Sequence, residues 1–154
     1  FKTGFTIGIT TFFVSVAVLL LWFPLKQKPG IGTILNAILI SVILDLSLIY
    51  LPYPKEFLFQ FFQVLIGIFI IGIGSGFYLA ANLGPGPRDG LMTGLNKQTN
   101  FSISLIRTLL ELSAVSIGFF LGGKVGIGTL MYAIGIGFSV SLGLFFVGKI
   151  YRKN

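Results

Sequence analysis

The chain contains no cysteine and no histidine, and only four acidic residues among its 154. Disulfide frameworks, thiol nucleophiles, zinc-finger spacings and imidazole acid–base chemistry are excluded together. No metal site and no cofactor is expected, and no enzyme, because a nucleophile–base set lacks its usual members. Charge of either sign is scarce as well, at 10% of residues. A soluble domain carries about 25% charged residues. What fills the space is hydrophobic: 55% of the chain, with a mean hydropathy of +0.98. So little polar surface cannot cover a globule of this size, and lipid must cover the rest. The formal net charge of +7 would suggest nucleic acid in a soluble protein. Here the cations stand at the ends of greasy runs, where they orient a membrane protein, and no nucleic-acid partner is expected.

A bilayer core of about 30 Å requires about 20 helical residues. Five such spans can be read: Phe5–Phe23, closed by Pro24; Ile31–Tyr50, stopped by Pro52 and Pro54; Phe57–Asn82; Phe101–Leu121, ended by Gly122-Gly123; and Thr129–Gly148, before the basic tail Lys149–Asn154. Strands of an outer-membrane barrel would alternate apolar with polar residues. Val14–Phe23 and Leu65–Ile73 do not, so the fold class is all-α membrane protein.

The chain also repeats itself. Gly30-Ile31-Gly32-Thr33 returns as Gly126-Ile127-Gly128-Thr129, a shift of 96 positions (126 minus 30). At that shift Thr3 falls on Thr99, Phe5 on Phe101, Phe23 on Phe119, Lys28 on Lys124 and Ala37 on Ala133. The repeat unit holds three spans, and an odd unit inverts in the membrane. The expected architecture is five transmembrane helices of a six-helix, 3+3 inverted-topology repeat. Residues 1–56 form the first repeat, lacking its first helix, and residues 57–154 the second. Together they make one integral membrane domain.

Outside the spans, Lys2, Lys55 and Lys124 fall on one side of the membrane. Lys26, Lys28, Arg88, Lys97, Lys149, Arg152 and Lys153 fall on the other. The richer side is expected to be cytoplasmic, with the C-terminus on it, in a bacterial inner membrane. The Asn100-Phe101-Ser102 glycosylation sequon lies on that same side and is discounted.

Chemistry is concentrated in a few places. Leu83-Gly84-Pro85-Gly86-Pro87-Arg88-Asp89-Gly90 cannot continue a helix. It reads either as a rigid re-entry turn or as an anion cradle, in which the backbone of Gly84, Gly86 and Gly90 stands beside the Arg88 guanidinium. Residues 89–98 read as a short amphipathic helix or an interfacial loop. Arg107 and Glu111 lie one turn apart within a span, and their repeat mates are the neutral Thr11 and Ser15. Charges at membrane depth cost about 3 kcal/mol each. This pair is therefore a structural clamp or a substrate and proton site. Local neutralisation favours convergence of the four groups, Asp89 with Arg107 and Arg88 with Glu111. Asp45, whose mate is Ser141, reads as an ion-pathway acid or as a helix-end acid. The pairs Gly72/Gly76 and Gly118/Gly122, with Gly67, Gly74, Gly135, Gly137 and Gly143, are spaced for close helix packing. Gly72-Ile73-Gly74-Ser75-Gly76 is not a dinucleotide fingerprint, and there is no P-loop.

Gly84-Pro85-Gly86-Pro87-Arg88-Asp89-Gly90-Leu91-Met92, Arg107-Thr108 with Glu111, and the two Gly-Ile-Gly-Thr corners together resemble the YczE/YitT-type bacterial integral membrane proteins. The resemblance covers essentially the whole chain. It implies a multi-span membrane protein with a further N-terminal helix, and supplies no substrate. Two functions stand on the residues. The first is a small secondary transporter for an anionic or zwitterionic solute, with Arg88 and Arg107 facing the solute and Glu111, Asp89 or Asp45 handling a coupling proton. The second is an accessory or scaffold protein that docks a cytoplasmic or membrane partner through its cytoplasmic Pro-Arg-Asp loop. The expected partners are the lipid bilayer, a small solute, and a second copy or another membrane protein.

Overall fold

A computed structural model describes residues 4–151, and all six of its helices lie in that range. They are α1 (Ile7–Leu20), α2 (Ile31–Tyr50), α3 (Phe57–Ala80), α4 (Pro87–Thr99), α5 (Ile103–Phe120) and α6 (Ile127–Tyr151). Thr3 of the repeat register and Lys2, Arg152, Lys153 and Asn154 of the charge count lie outside the described residues. There is no strand among the described residues. Four helices, α2, α3, α5 and α6, are long and apolar enough to cross a membrane.

The first expected span comes out shorter than Phe5–Phe23. Helix α1 has 14 residues, a rise of about 21 Å. The ring of Pro24 would strike the carbonyl of residue 20 in a continuing helix, and Pro24 brings no N–H. The chain therefore tightens: Leu21, Trp22 and Phe23 donate to the carbonyls three residues back, and Lys26 takes a positive φ of 51°. The 87–99 segment is helical, as one of the two readings of residues 89–98 had it.

The chain forms two compact units. One comprises Phe1–Pro52 with Asn82–Gln98, and the other Tyr53–Ala81 with Thr99–Asn154. In the first, α1 and α2 run antiparallel, since residues at the start of α1 meet the second half of α2. In the second, α6 is central. Its Ala133, Ile136, Ser139 and Val140 are buried against α3 and α5. Helices α3 and α6 run parallel, because Gly72 meets Ser139 and Gly76 meets Gly143 further along both. The Ser139 hydroxyl donates to the Ile68 carbonyl at 2.9 Å. Lipid offers no hydrophobic drive between helices, so glycine-permitted backbone contact and such hydrogen bonds hold them.

The 96-residue shift carries over into local structure. Ile7 and Ile103 both open helices, and so do Ile31 and Ile127. Thr6 and Ser102 are both N-caps whose hydroxyls accept a backbone N–H three residues on. In the α1–α2 and α5–α6 pairs a glycine makes a close contact at matching positions, 8 against 41 and 104 against 137. The glycine that permits it has changed sides: Gly8 on the first helix of one pair, Gly137 on the second helix of the other.

Not every glycine packs. Gly122 is a left-handed C-terminal cap of α5, with φ +88° and Gly123 N–H donating to Gly118 O at 2.8 Å. A Cβ at Gly67, Gly74 or Gly118 would meet nothing within 4 Å. The packing role expected for these four is replaced by capping at Gly122 and an open surface at the rest. Gly76→Leu is expected to destabilise the protein by about 1–3 kcal/mol, because its side chain overlaps the Gly143 backbone. Gly67→Ala and Gly74→Ala should be neutral or slightly stabilising. Thermal unfolding of the three variants in one detergent checks the contrast.

Candidate functional site

The 83–90 segment is held by its carbonyl oxygens. Leu83 O accepts Gly32 N–H at 2.9 Å, and Pro85 O accepts the Thr33 hydroxyl at 2.7 Å. Pro87 O accepts Trp22 Nε1–H at 2.9 Å. The first N–H groups of a helix have no partner within it. Here a loop rich in proline, short of donors itself, supplies carbonyls to the start of α2. Thr33 closes the arrangement, since its hydroxyl also accepts Gly30 N–H at 3.1 Å.

The glycines make the approach possible. Gly84, at φ +107°, lies against Gly30, and a Cβ on either would collide with the other strand of the corner. Gly86 lies against the Asn36 amide. Gly90 lies flat on the Trp22 indole, which is 2% exposed. One turn on, Gly94 rests on Leu25 and Gln27. Helix α4 is thus fastened to the Trp22–Gln27 turn through two glycines four residues apart. The anion cradle expected from Gly84, Gly86 and Gly90 meets a different arrangement. These glycines serve close packing, and the Gly90 N–H donates to Gly86 O at 2.8 Å inside the first turn of α4.

Arg88 is exposed at the start of α4, whereas Asp89 beside it is 7% exposed. An acid in the first turn complements the helix dipole. In the second unit, Arg107 and Glu111 form an ion pair across one turn of α5, with Nη2 to Oε1 at 3.1 Å and each residue 5% exposed. Asp45 belongs to the α1–α2 pair. Its carboxylate accepts Gly8 N–H at 2.7 Å and the Thr6 hydroxyl at 2.6 Å, so it caps α1 from the neighbouring helix. These bonds place it against the start of α1, a role neither sequence reading gave it. Among the described residues no group of three or more acidic side chains could hold a metal ion.

Sequence reasoning passed over Trp22 and Thr33. A lone tryptophan in a chain with 17 phenylalanines was the available signal for the first, since its N–H needs an acceptor when buried. Nothing in sequence distinguishes Thr33 from its repeat mate. Thr33 is fully buried under the loop, whereas Thr129 in the copied corner is exposed. Thr33→Val should cost about 1–3 kcal/mol by stranding Pro85 O and Gly30 N–H, and Thr129→Val no more than about 0.5 kcal/mol. Chemical or thermal unfolding of the matched pair reads the difference directly.

Residues 1–144 match the family described as a family of unknown function, DUF6198. An uncharacterized protein of Haemophilus influenzae is 42% identical over 151 residues, covering 98% of this chain and 68% of the relative. The uncharacterized membrane protein YczE of Bacillus subtilis is 34% identical over 109 residues, covering 71% of this chain and 51% of its own. The uncharacterized protein YyaS of the same organism is 27% identical over 134 residues, with 84% and 67% covered. The chain thus spans about two thirds of the first relative and about half of YczE. No solved structure matches it. With its apolar spans and its Gly-Pro-Arg-Asp loop, the chain belongs to the DUF6198 family of YczE-type membrane proteins.

Proposed function

We propose that the protein is a small secondary transporter for an anionic or zwitterionic solute, built as a 3+3 inverted repeat of which this chain holds five spans. One observation carries the reading: the Arg107–Glu111 ion pair, buried within an 18-residue apolar helix. Ionisable residues at membrane depth are costly and mark solute or proton pathways. A helix that needed only to anchor would be more stable with the neutral Thr and Ser found at the equivalent positions 11 and 15. Arg107 supplies the charge for a carboxylate or phosphate group, and Glu111 the group that exchanges a coupling proton. Arg88, exposed on α4, is the second cation on the solute's route. The repeated helix starts and close contacts support two halves able to exchange roles.

A second reading, a scaffold protein, has support in α4 itself. It is a polar helix held on by Gly90 and Gly94, with Arg88 and Lys97 exposed, and it could present those cations to a partner. Transport stands ahead because docking has no use for an ion pair buried in a span.

Reconstituted protein on a solid-supported membrane, screened with amino acids and small organic anions, should give a transient charge-displacement current. Arg107→Lys should keep the fold and lose the current. Arg107→Ala should lose folded protein as well, by about 3–5 kcal/mol, because it leaves the Glu111 carboxylate buried without its guanidinium. A folded, inserted protein silent across the panel would overturn transport. The C-terminus should be cytoplasmic: a tag after Asn154 should resist external protease in intact cells and be cut in inverted vesicles.

A further inference from the structure

We infer that the groove between α1 and α2 is a binding site for an amphiphile with a cationic head, its ammonium on Asp45 and its apolar body along Phe12 and Phe13. The groove has a volume of about 320 Å³ and is lined by Gly8, Ile9, Phe12, Phe13, Ile38, Ser41, Val42 and Asp45. That is the lower end of the range of small-molecule pockets. Its chemistry is graded along its length. Asp45 lies five residues before the end of α2, near one membrane surface, and Ile38 lies about two turns deeper. On α1 the order runs in step, from Gly8 beside the carboxylate to Phe12 and Phe13 below. The two rings stand edge to face, with centroids 6.1 Å apart.

Among the described residues, Asp45 is the only charged one in the lining. A carboxylate accepts about four hydrogen bonds. Among the described residues its partners are Thr6 and Gly8, which leaves acceptor capacity on a carboxylate that lines the groove. Both partners are neutral donors, so neither cancels its negative charge. Ser41, the other polar side chain in the lining, donates its hydroxyl to Ala37 O at 2.7 Å and offers no competing cation. An ammonium at that point gains a charge-assisted hydrogen bond in a medium of low dielectric, and an aromatic face beyond it. The larger groove between α3 and α6, about 400 Å³, gives the contrast. Its one polar side chain, Ser139, is already bonded to Ile68 O, and no charge lines it. It can take any acyl chain, whereas the Asp45 groove selects by head-group charge.

Two sources supply this chemistry: an aminolipid of the bilayer and a soluble lipophilic cation. Native mass spectrometry of the full chain, after exposure to equal amounts of phosphatidylethanolamine, phosphatidylglycerol and a neutral diacylglycerol, tests the first. Equilibrium binding of tetraphenylphosphonium in a maltoside detergent tests the second. Selective retention of phosphatidylethanolamine identifies a lipid site, and saturable phosphonium binding a solute site; either supports the inference. Asp45→Asn keeps an oxygen for the Gly8 N–H and should preserve α1. It should weaken the positive arm about tenfold or more, the scale of one lost charge-assisted contact. Val42→Trp, which fills the groove and leaves the carboxylate, should abolish the same signal and serves where Asp45→Asn fails to fold. Equal retention of the neutral lipid, no binding in either arm, or Asp45→Asn binding as tightly as the parent would each overturn the site.

Discussion

A broken helix in a membrane protein must find hydrogen-bond partners inside the protein, and the rest of the first unit depends on how this chain does so. The start of α2 offers backbone N–H groups that lipid cannot satisfy. The 83–87 segment offers carbonyls and, with two prolines, few donors of its own. Leu83 O on Gly32 N–H and Pro85 O on the Thr33 hydroxyl bring these complementary deficits together. Each of the surrounding glycines follows from that requirement. The carbonyls reach this helix start at bonding distance because Gly30, Gly32 and Gly84 carry no Cβ where the two backbones meet. Trp22 then fixes the far end of the loop by its N–H and covers Gly90 with its ring. Helix α4 stays in place though its own composition is polar, because the groups that hold it lie in the turn before α2.

Much of the fold could be read from hydrophobic run length alone. Ile31–Tyr50 matches α2 at both ends, and the expected starts and stops of the later spans fall within three residues of the observed ones. The first span also ends within three residues of the expected place, but short of it, because Pro24 ends the helix about a turn before Phe23. The 96-position match could be read because glycine and threonine corners stand out in a background of Ile and Phe. The matched helix starts and the matched close contact were not legible. At position 8 it is Gly that matches Ser104, and at position 41 it is Ser that matches Gly137. Either arrangement lets two helices touch, so the geometry is kept while the residue that permits it moves. No column-by-column comparison of the two halves reveals this.

The site was legible in part, for a related reason. Ionised residues in apolar runs are conspicuous, so Arg107, Glu111 and Asp45 could be found from sequence, and the 3.1 Å pair on α5 follows from helical spacing. What sequence could not show is direction. Gly84, Gly86 and Gly90 suggest exposed N–H groups to any reader of loops, yet the backbone turns its carbonyls inward and uses these residues for contact. Asp45 sits near the end of its own helix but caps a different one, and only the antiparallel pairing of α1 with α2 makes that visible.

The two helix pairs also show how matching positions carry different side chains. Thr6 and Ser102 cap their helices alike, but Asp45 adds a carboxylate to the first cap where the second pair has Ser141. Thr33 is buried beneath the loop where Thr129 is exposed. Arg107 and Glu111 form an ion pair where the first pair has Thr11 and Ser15. Each of these three differences places a charge or a loop on one pair and not on the other, while helix starts and a close glycine contact are retained. Packing in lipid depends on backbone approach, which small residues at a few positions secure. The remaining positions were free to carry charge, and the two pairs carry it differently: in a carboxylate that caps the neighbouring helix in the first, and in an ion pair within one helix in the second.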